Sequence, residues 1–175
     1  MAKDWDLIIR GGTVFTPSGL VNADVAVAQG RIADIGDLDA SRADEVFDAK
    51  GLTVLPGVID TQVHFREPGM EHKEDLESGT RAAVMGGVTA IFEMPNTSPA
   101  TIDEAALKEK LTRAEGRAWC DHAFFAGAAA ENAERLGELE RLPGCCGIKI
   151  FMGSSTGSLL VPDDETLRRV LKSIR

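Results

Sequence analysis

Four polar residues stand at alternating positions in one otherwise apolar segment: Asp60, Gln62, His64 and Arg66. Side chains alternate between the two faces of a strand, so a strand here would carry all four on one face. A parallel strand covered on both faces is almost wholly apolar, and ligands bind beyond the carboxyl ends of such strands. The pattern therefore indicates a binding or metal site. The alternative is a core histidine with a hydrogen-bond partner and an arginine paired with Glu67 or another carboxylate.

A lysine interrupts a second apolar segment, residues 147–152. Ile148 and Ile150 would face one way and Lys149 the other. A buried ammonium group without a partner is strongly destabilising, so such a lysine either pairs with a buried acid or loses its charge. A neutral lysine can react with carbon dioxide, and the resulting carbamate is a carboxylate that can bridge two cations.

A third candidate, Asn96, lies in the segment Met94-Pro95-Asn96-Thr97, which closes another apolar strand. Pro-Asn is common in turns. However, the carboxyl ends of parallel strands meet at one edge, so we expect Asn96 at the same rim as His64 and Lys149. The nearby loop 153–157 lacks the Gly-Lys-Ser/Thr ending of a phosphate-binding loop, and we expect a turn or an active-site loop there.

The segments that must position these residues follow a regular order. Up to residue 52, turn signals recur about every 8 to 12 residues and predict a small antiparallel β-unit. Beyond Gly51, apolar strands alternate with helical segments. The strands are predicted at 53–65, 88–94, 121–126 and 147–152, and the helices at 73–85, 103–115, 130–142 and 163–174. Such a series implies a parallel sheet with helical crossovers, either a small open α/β domain or half of a barrel.

The composition is that of a folded, acidic protein. The 175 residues include 19 Lys and Arg against 28 Asp and Glu, and 43% are hydrophobic. A net charge of −9 without a basic cluster argues against nucleic-acid binding. The acidic N-terminus and the absence of a long apolar run predict a cytoplasmic protein without a membrane segment. Cys120, Cys145 and Cys146 lack the spacing of a zinc or redox motif and are expected to be reduced.

Separated motifs, in order along the chain, resemble those of the dihydroorotase branch of the cyclic amidohydrolases. They comprise residues 64–69 (His-Phe-Arg-Glu-Pro-Gly), 73–80, 94–97 and 149–157. The resemblance implies an α/β fold: the first half of a metal-dependent (β/α)₈ amidohydrolase barrel at residues 53–175, preceded by the N-terminal part of a composite β-sandwich at residues 1–52. A closed barrel takes roughly 250 residues, more than this chain has.

The resemblance also assigns roles by position. His64 corresponds to the second histidine of the family's His-x-His metal pair, and Lys149 to a lysine that many relatives carboxylate to bridge two zinc ions. Arg66 and Asn96 correspond to the residues that hold the exocyclic carboxylate of the substrate. Gln62 replaces the first histidine, and its amide oxygen is a poor zinc ligand, so one metal position would be weakened, displaced or absent.

The activity implied is that of a dihydroorotase. With one or two zinc ions, such an enzyme uses a metal-activated hydroxide to open (S)-dihydroorotate reversibly to N-carbamoyl-L-aspartate in pyrimidine biosynthesis. The remaining histidines and the general-base aspartate of relatives would lie beyond Arg175. No catalytic residue is therefore assigned within the chain, and we expect the isolated chain to be inactive.

Two alternatives remain open at this point. Gln62 favours a non-catalytic, dihydroorotase-like partner of aspartate transcarbamoylase, whereas the retained His64, Arg66, Asn96 and Lys149 argue against it. The other alternative is a hydantoinase, dihydropyrimidinase or allantoinase. Arg66 favours a small-molecule substrate with a carboxylate. A homo-oligomer is also compatible with the resemblance.

Overall fold

The computed structural model describes residues 3–153 and 159–174. The chain divides into two compact units, one ending at Pro56 and the other beginning at Gly57. The boundary falls at Pro56 rather than residue 52 because Thr53 and Val54 pair with a strand of the first sheet. The strand predicted at 53–65 is therefore two strands. Pro56, which has no backbone N–H to donate, lies between them.

The first unit is a mixed five-stranded sheet, not the purely antiparallel unit predicted. Its strands are β1 (Trp5–Thr16), β2 (Gly19–Ala28), β3 (Arg31–Gly36), β4 (Ala43–Asp48) and β5 (Thr53–Val54). The order is β3-β2-β1-β4, and β5 also pairs with β1. β4 and β5 run parallel to β1. Gly11 and Gly12, which supply the first of the turn signals in the sequence, form a register shift within β1 rather than a turn, and Gly11 has a φ of 72°.

The second unit contains the predicted parallel sheet, which is confirmed. Its strands are β6 (Val58–Val63), β7 (Val88–Glu93), β8 (Asp121–Gly127) and β9 (Cys145–Lys149), and its helices are α1 (Leu76–Met85), α2 (Glu104–Ala114), α3 (Leu136–Leu139) and α4 (Asp164–Ser173). The sheet order β6-β7-β8-β9 follows the sequence, and every pairing is parallel. This is the strand arrangement of half a barrel. In the described part of the chain, no helix is long and apolar enough to cross a bilayer.

Aspartate caps define where three helices begin. The side chains of Asp75, Asp103 and Asp163 accept hydrogen bonds from the backbone N–H of the third residue of α1, α2 and α4, respectively. The third helix differs from the prediction, because α3 covers only four residues. Asn132, expected near its start, instead accepts from Ala129 N and donates to the carbonyls of Ile102 and Gly127.

The apolar core between the parallel sheet and its helices determines which face of the sheet carries the site residues. Val63 and Phe65 pack into a core cluster with Leu76 and Ile91. Side chains alternate, so Gln62, His64 and Arg66 face away from the helices, as predicted. Ile148 and Ile150 likewise pack against the second cluster, which places Lys149 on the opposite face. The Phe65 ring lies so close to α1 that a Cβ atom at Gly79 would be 2.6 Å from it.

Candidate functional site

His64 and Asn96 meet at the carboxyl edge of the parallel sheet. His64 Nδ1 lies 2.9 Å from Asn96 Oδ1. Asn96 is 8% exposed and His64 is half-buried. With an amide oxygen as acceptor, His64 carries its proton on Nδ1 and keeps a lone pair on Nε2. An imidazole oriented in this way can accept a proton or bind a metal.

Two loops dock to make this contact. Met94 N donates to Val63 O at 3.0 Å, and Ser98 N donates to Pro68 O at 3.0 Å. Gly69 has a φ of 100°, and a Cβ atom there would lie 2.3 Å from Ser98 O. Any larger residue at position 69 would push the loops apart. The glycine of the motif at 64–69 is thus explained by close backbone approach.

Arg66 is half-buried, yet its guanidinium group has no hydrogen-bond or ion-pair partner among residues 3–153 and 159–174. The pairing with Glu67 considered above does not occur, because Glu67 binds Arg113 and Arg117. Only the backbone of Arg66 is fixed, through a 3.3 Å hydrogen bond from its N–H to Glu74 O. An unpaired guanidinium is well suited to bind a carboxylate.

Lys149 is the last residue of β9 and is half-buried. Its Nζ lies 5.2 Å from the centre of the Phe151 ring, and no carboxylate in the described residues pairs with it. The buried acid considered as a partner is therefore not found among them. β6 and β9 are the first and last strands of the sheet, so Lys149 shares the carboxyl edge with His64, and no hydrogen bond joins the two side chains in the described structure.

The two remaining predictions concern Gln62 and the loop at 153–157. Gln62 is exposed, and its backbone N–H donates to Asp60 Oδ1 at 3.0 Å. Of the loop, residues 154–157 lie outside the described residues. The structure thus brings together His64 and Asn96, leaves Arg66 and Lys149 unpaired in the part it describes, and places Gln62 on an exposed strand.

The donor atoms in the described residues are of types that bind zinc, but there are too few of them for a catalytic zinc site. Within residues 3–153 and 159–174, no group of three or more His, Cys, Asp and Glu side chains could hold a metal ion. His64 Nε2 is a suitable donor, and a carbamate on Lys149 would be another. A catalytic zinc ordinarily takes three protein ligands. The described residues therefore supply only part of such a set.

A buried ion pair under the Asn96 loop was not foreseen from the sequence. Lys110 of α2 donates to the Glu93 carboxylate and to Met94 O, the latter at 3.0 Å. Both side chains are 1% exposed, and Glu93 Oε1 has no partner within the described structure. Burial raises the pKa of Glu93 to about 7, against the attraction of Lys110 and, more weakly, of Arg66. A charged residue at the end of the apolar strand 88–94 was the available signal.

Glu67 was not singled out from the sequence either. It is 2% exposed and accepts hydrogen bonds from Arg117, Arg113 and the backbone N–H of Leu76. Burial alone would raise the pKa of Glu67, but the hydrogen bonds from Arg117 and Leu76 outweigh it and lower the pKa below its ordinary value. Glu67 is therefore an ionised residue inside the fold.

Comparison with known proteins places this geometry in a family. Residues 51–142, more than half of the chain, match the sequence model of the Dihydro-orotase-like family. The chain belongs to this family. Over 151 residues it is 44% identical to an allantoinase of Escherichia coli, a match that covers 86% of this chain and 33% of the relative. The chain thus spans about a third of the length of these relatives.

Solved structures of family relatives share the fold. The L-hydantoinase (dihydropyrimidinase) from Arthrobacter aurescens superposes with a TM-score of 0.88 at 29% identity, covering 97% of this chain and 38% of that one. A D-hydantoinase gives a TM-score of 0.79 at 32% identity over 99% of this chain and 38% of its own. The half-barrel predicted from the motifs is confirmed. The similar proteins are named allantoinase and hydantoinase, so membership of the family does not select dihydroorotate as substrate.

Proposed function

We propose that this family member carries the carboxylate-binding side, and part of the metal site, of a cyclic amidohydrolase. The reaction is hydrolysis of a ring amide in a cyclic ureide. Water adds across the C–N bond, so the carbonyl carbon gains the hydroxyl group and the ring nitrogen gains a hydrogen. The observation that carries the proposal is the half-buried guanidinium of Arg66, which forms no hydrogen bond or ion pair among the described residues and follows His64, the partner of Asn96, by two positions.

We assign each residue a role that is compatible with its contacts. His64, held by Asn96, offers Nε2 as a ligand, and Lys149 offers a carbamate after reaction with carbon dioxide. Zinc bound by these two and by ligands outside the described residues would supply an activated water. Arg66 binds the exocyclic carboxylate with its planar fork and orients the ring. Asn96 keeps its amide N–H₂ group available to donate to the substrate.

Arg66 favours a ring that carries a carboxylate, the class to which dihydroorotate belongs. Such a substrate would form the ion pair with a carboxylate that this half-buried cation does not form in the described structure. Allantoin is the second candidate, favoured by the 44% identity to the allantoinase of Escherichia coli.

Binding to the 175-residue chain tests the role of Arg66. Dihydroorotate and dihydrouracil share the ring and differ in the carboxylate. Arg66→Met is expected to weaken dihydroorotate binding at least about tenfold, because a hydrogen bond to a charged group is lost, and to leave dihydrouracil binding unchanged.

Arg81→Met is the matched control, since Arg81 is an exposed arginine on α1. Calorimetry of both ligands with both variants gives the comparison. Equal weakening by the two variants, or an effect of Arg66→Met on both ligands alike, would contradict the assignment. Tighter binding of allantoin than of dihydroorotate would favour the second candidate.

A further inference from the structure

Glu67 joins three elements of the second unit through one buried carboxylate. Arg117 donates from both terminal nitrogens, to Oε1 at 2.7 Å and to Oε2 at 3.1 Å. Arg113 donates to Oε1 at 3.4 Å, and Leu76 N donates to Oε2 at 3.0 Å. Leu76 begins α1, Arg113 lies in the last turn of α2, and Arg117 follows that helix. The carboxylate thus ties the loop after β6 to both helices.

Further hydrogen bonds and an ion pair hold the same loop near α2. Gly69 N donates to the Glu71 carboxylate at 3.0 Å, and that carboxylate lies 3.7 Å from Arg113. Met70 N donates to Arg66 O at 2.9 Å. The backbone after Glu67 is therefore linked to Arg113 of α2 through Glu71, and the backbone of Arg66 is held by hydrogen bonds to Met70 and Glu74.

On its other side the loop rests against the segment that carries Asn96. Ser98 N donates to Pro68 O, and Gly69 permits the close approach described above. Arg66 and Glu67 are consecutive, but their side chains differ in whether they have bonding partners. Glu67 is fully engaged with α2, whereas the guanidinium of Arg66 is unpaired among the described residues.

Stability alone does not call for this arrangement. Replacing a buried ion pair by apolar residues of similar size is often neutral or stabilising. What a two-point arginine–carboxylate contact adds is a fixed orientation. The orientation fixed here is that of the backbone from which Arg66 extends.

We propose that Glu67 is a positioning residue that, through Arg117 and Arg113, fixes Arg66 for binding the carboxylate of the substrate. Glu67 itself does not touch the substrate. The inference rests on the proposed function, since it gives Arg66 a ligand.

Two variants of the 175-residue chain test it. Glu67→Gln keeps an oxygen for Leu76 N but loses the charge and the second acceptor, and Arg117→Lys keeps the charge but loses the two-point contact. Each is expected to weaken dihydroorotate binding by about tenfold and to change dihydrouracil binding by less than about twofold. Glu109→Gln is the matched control. It removes the other carboxylate that Arg113 binds in α2, and it leaves Glu67 untouched.

The ratio of the two affinities separates positioning from general support of the fold. Equal loss for both ligands, or no loss for either, would overturn the inference. The side-chain Nε–H signal of Arg66 in NMR spectra is the second readout. It is expected to shift in Glu67→Gln and Arg117→Lys but not in Glu109→Gln. If the unsubstituted chain shows no preference for dihydroorotate, the proposed function fails, and the Arg66 signal alone then decides whether Glu67 positions Arg66.

Discussion

At the scale of single residues, the site is defined by which polar groups have partners. His64 and Asn96 satisfy each other, and Glu67 accepts four hydrogen bonds. Arg66 and Lys149 are half-buried cations that form no ion pair in the described residues, although the charge of Arg66 acts on the Glu93 carboxylate. In the proposed function, Arg66 binds an anion and Lys149 reacts with carbon dioxide.

The His64–Asn96 contact predicts one tautomer of the histidine. In the unsubstituted chain, His64 is expected to carry its proton on Nδ1. Asn96→Ala removes the acceptor, so the population with the proton on Nε2 is expected to rise. Long-range ¹⁵N NMR of the imidazole nitrogens measures the two tautomer populations in each chain. Asn22→Ala, in the first unit, is the control. A proton on Nε2 in the unsubstituted chain would contradict the geometry.

The pKa of Glu67 predicts how acid affects stability. Because the folded-state pKa lies below the ordinary value of 4.5, ionised Glu67 stabilises the fold above about pH 4.5. That contribution is lost as the pH falls through the folded-state pKa. The free energy of unfolding of Glu67→Gln should therefore approach that of the unsubstituted chain as the pH falls below 4.5. A difference that stays constant from pH 7 to pH 3 would show that Glu67 does not titrate in this way.

At the scale of elements, local signals predicted most of the fold. The predicted helix starts at residues 73, 103 and 163 lie within three residues of the observed starts of α1, α2 and α4. The predicted alternation agrees with the packing of Val63, Phe65, Ile148 and Ile150 into the helix-side core, which leaves the other face for His64 and Lys149. The third helix was predicted from residue 130, but α3 begins at Leu136, and Asn132 instead donates to Ile102 O, 30 residues away, and to Gly127 O. No local pattern reveals such bonds.

The same limit applies to the groups behind the site. Glu93 and Lys110 are 17 residues apart, and Glu67 and Arg117 are 50 residues apart. Their pairing depends on how α2 packs against the sheet, which the sequence pattern does not specify. The proximity of His64 and Asn96 could be predicted from the sequence, because parallel topology alone brings the ends of their strands to one rim.

The hydrogen bonds of Asn132 predict a measurable cost. Asn132→Ala leaves Ala129 N and two carbonyl groups without their partners, so the free energy of unfolding is expected to fall by about 2 to 3 kcal/mol. Urea unfolding measures it. The control is Glu131→Ala, an exposed neighbour. A loss no larger than that of the control would mean that the three bonds contribute little.

The buried pair of α2 and β7 predicts strong coupling. Lys110→Met leaves the Glu93 carboxylate uncompensated and is expected to cost about 3 to 5 kcal/mol in the free energy of unfolding. The double variant Glu93→Leu with Lys110→Met is expected to recover most of that loss. Urea unfolding of the two single variants and the double variant forms a complete cycle. Additive effects would contradict the pairing.

At the scale of the whole molecule, the chain covers about a third of the length of its allantoinase relatives. It comprises a mixed sheet and a parallel half-barrel, and its described residues supply fewer zinc donors than a catalytic site takes. We therefore predict no measurable ring opening of dihydroorotate by the purified 175-residue chain with added zinc. Robust turnover, measured as the formation of N-carbamoyl-L-aspartate, would show that the described donors suffice for a catalytic zinc site.

The central claim is that the carboxyl edge of this half-barrel recognises a ring through its carboxylate. The most direct measurement is the affinity of the unsubstituted 175-residue chain for dihydroorotate and for dihydrouracil in the same buffer, by calorimetry. We predict that dihydroorotate binds at least about tenfold more tightly, since only it can form a charged hydrogen bond with Arg66. Equal affinity for the two rings would contradict the claim.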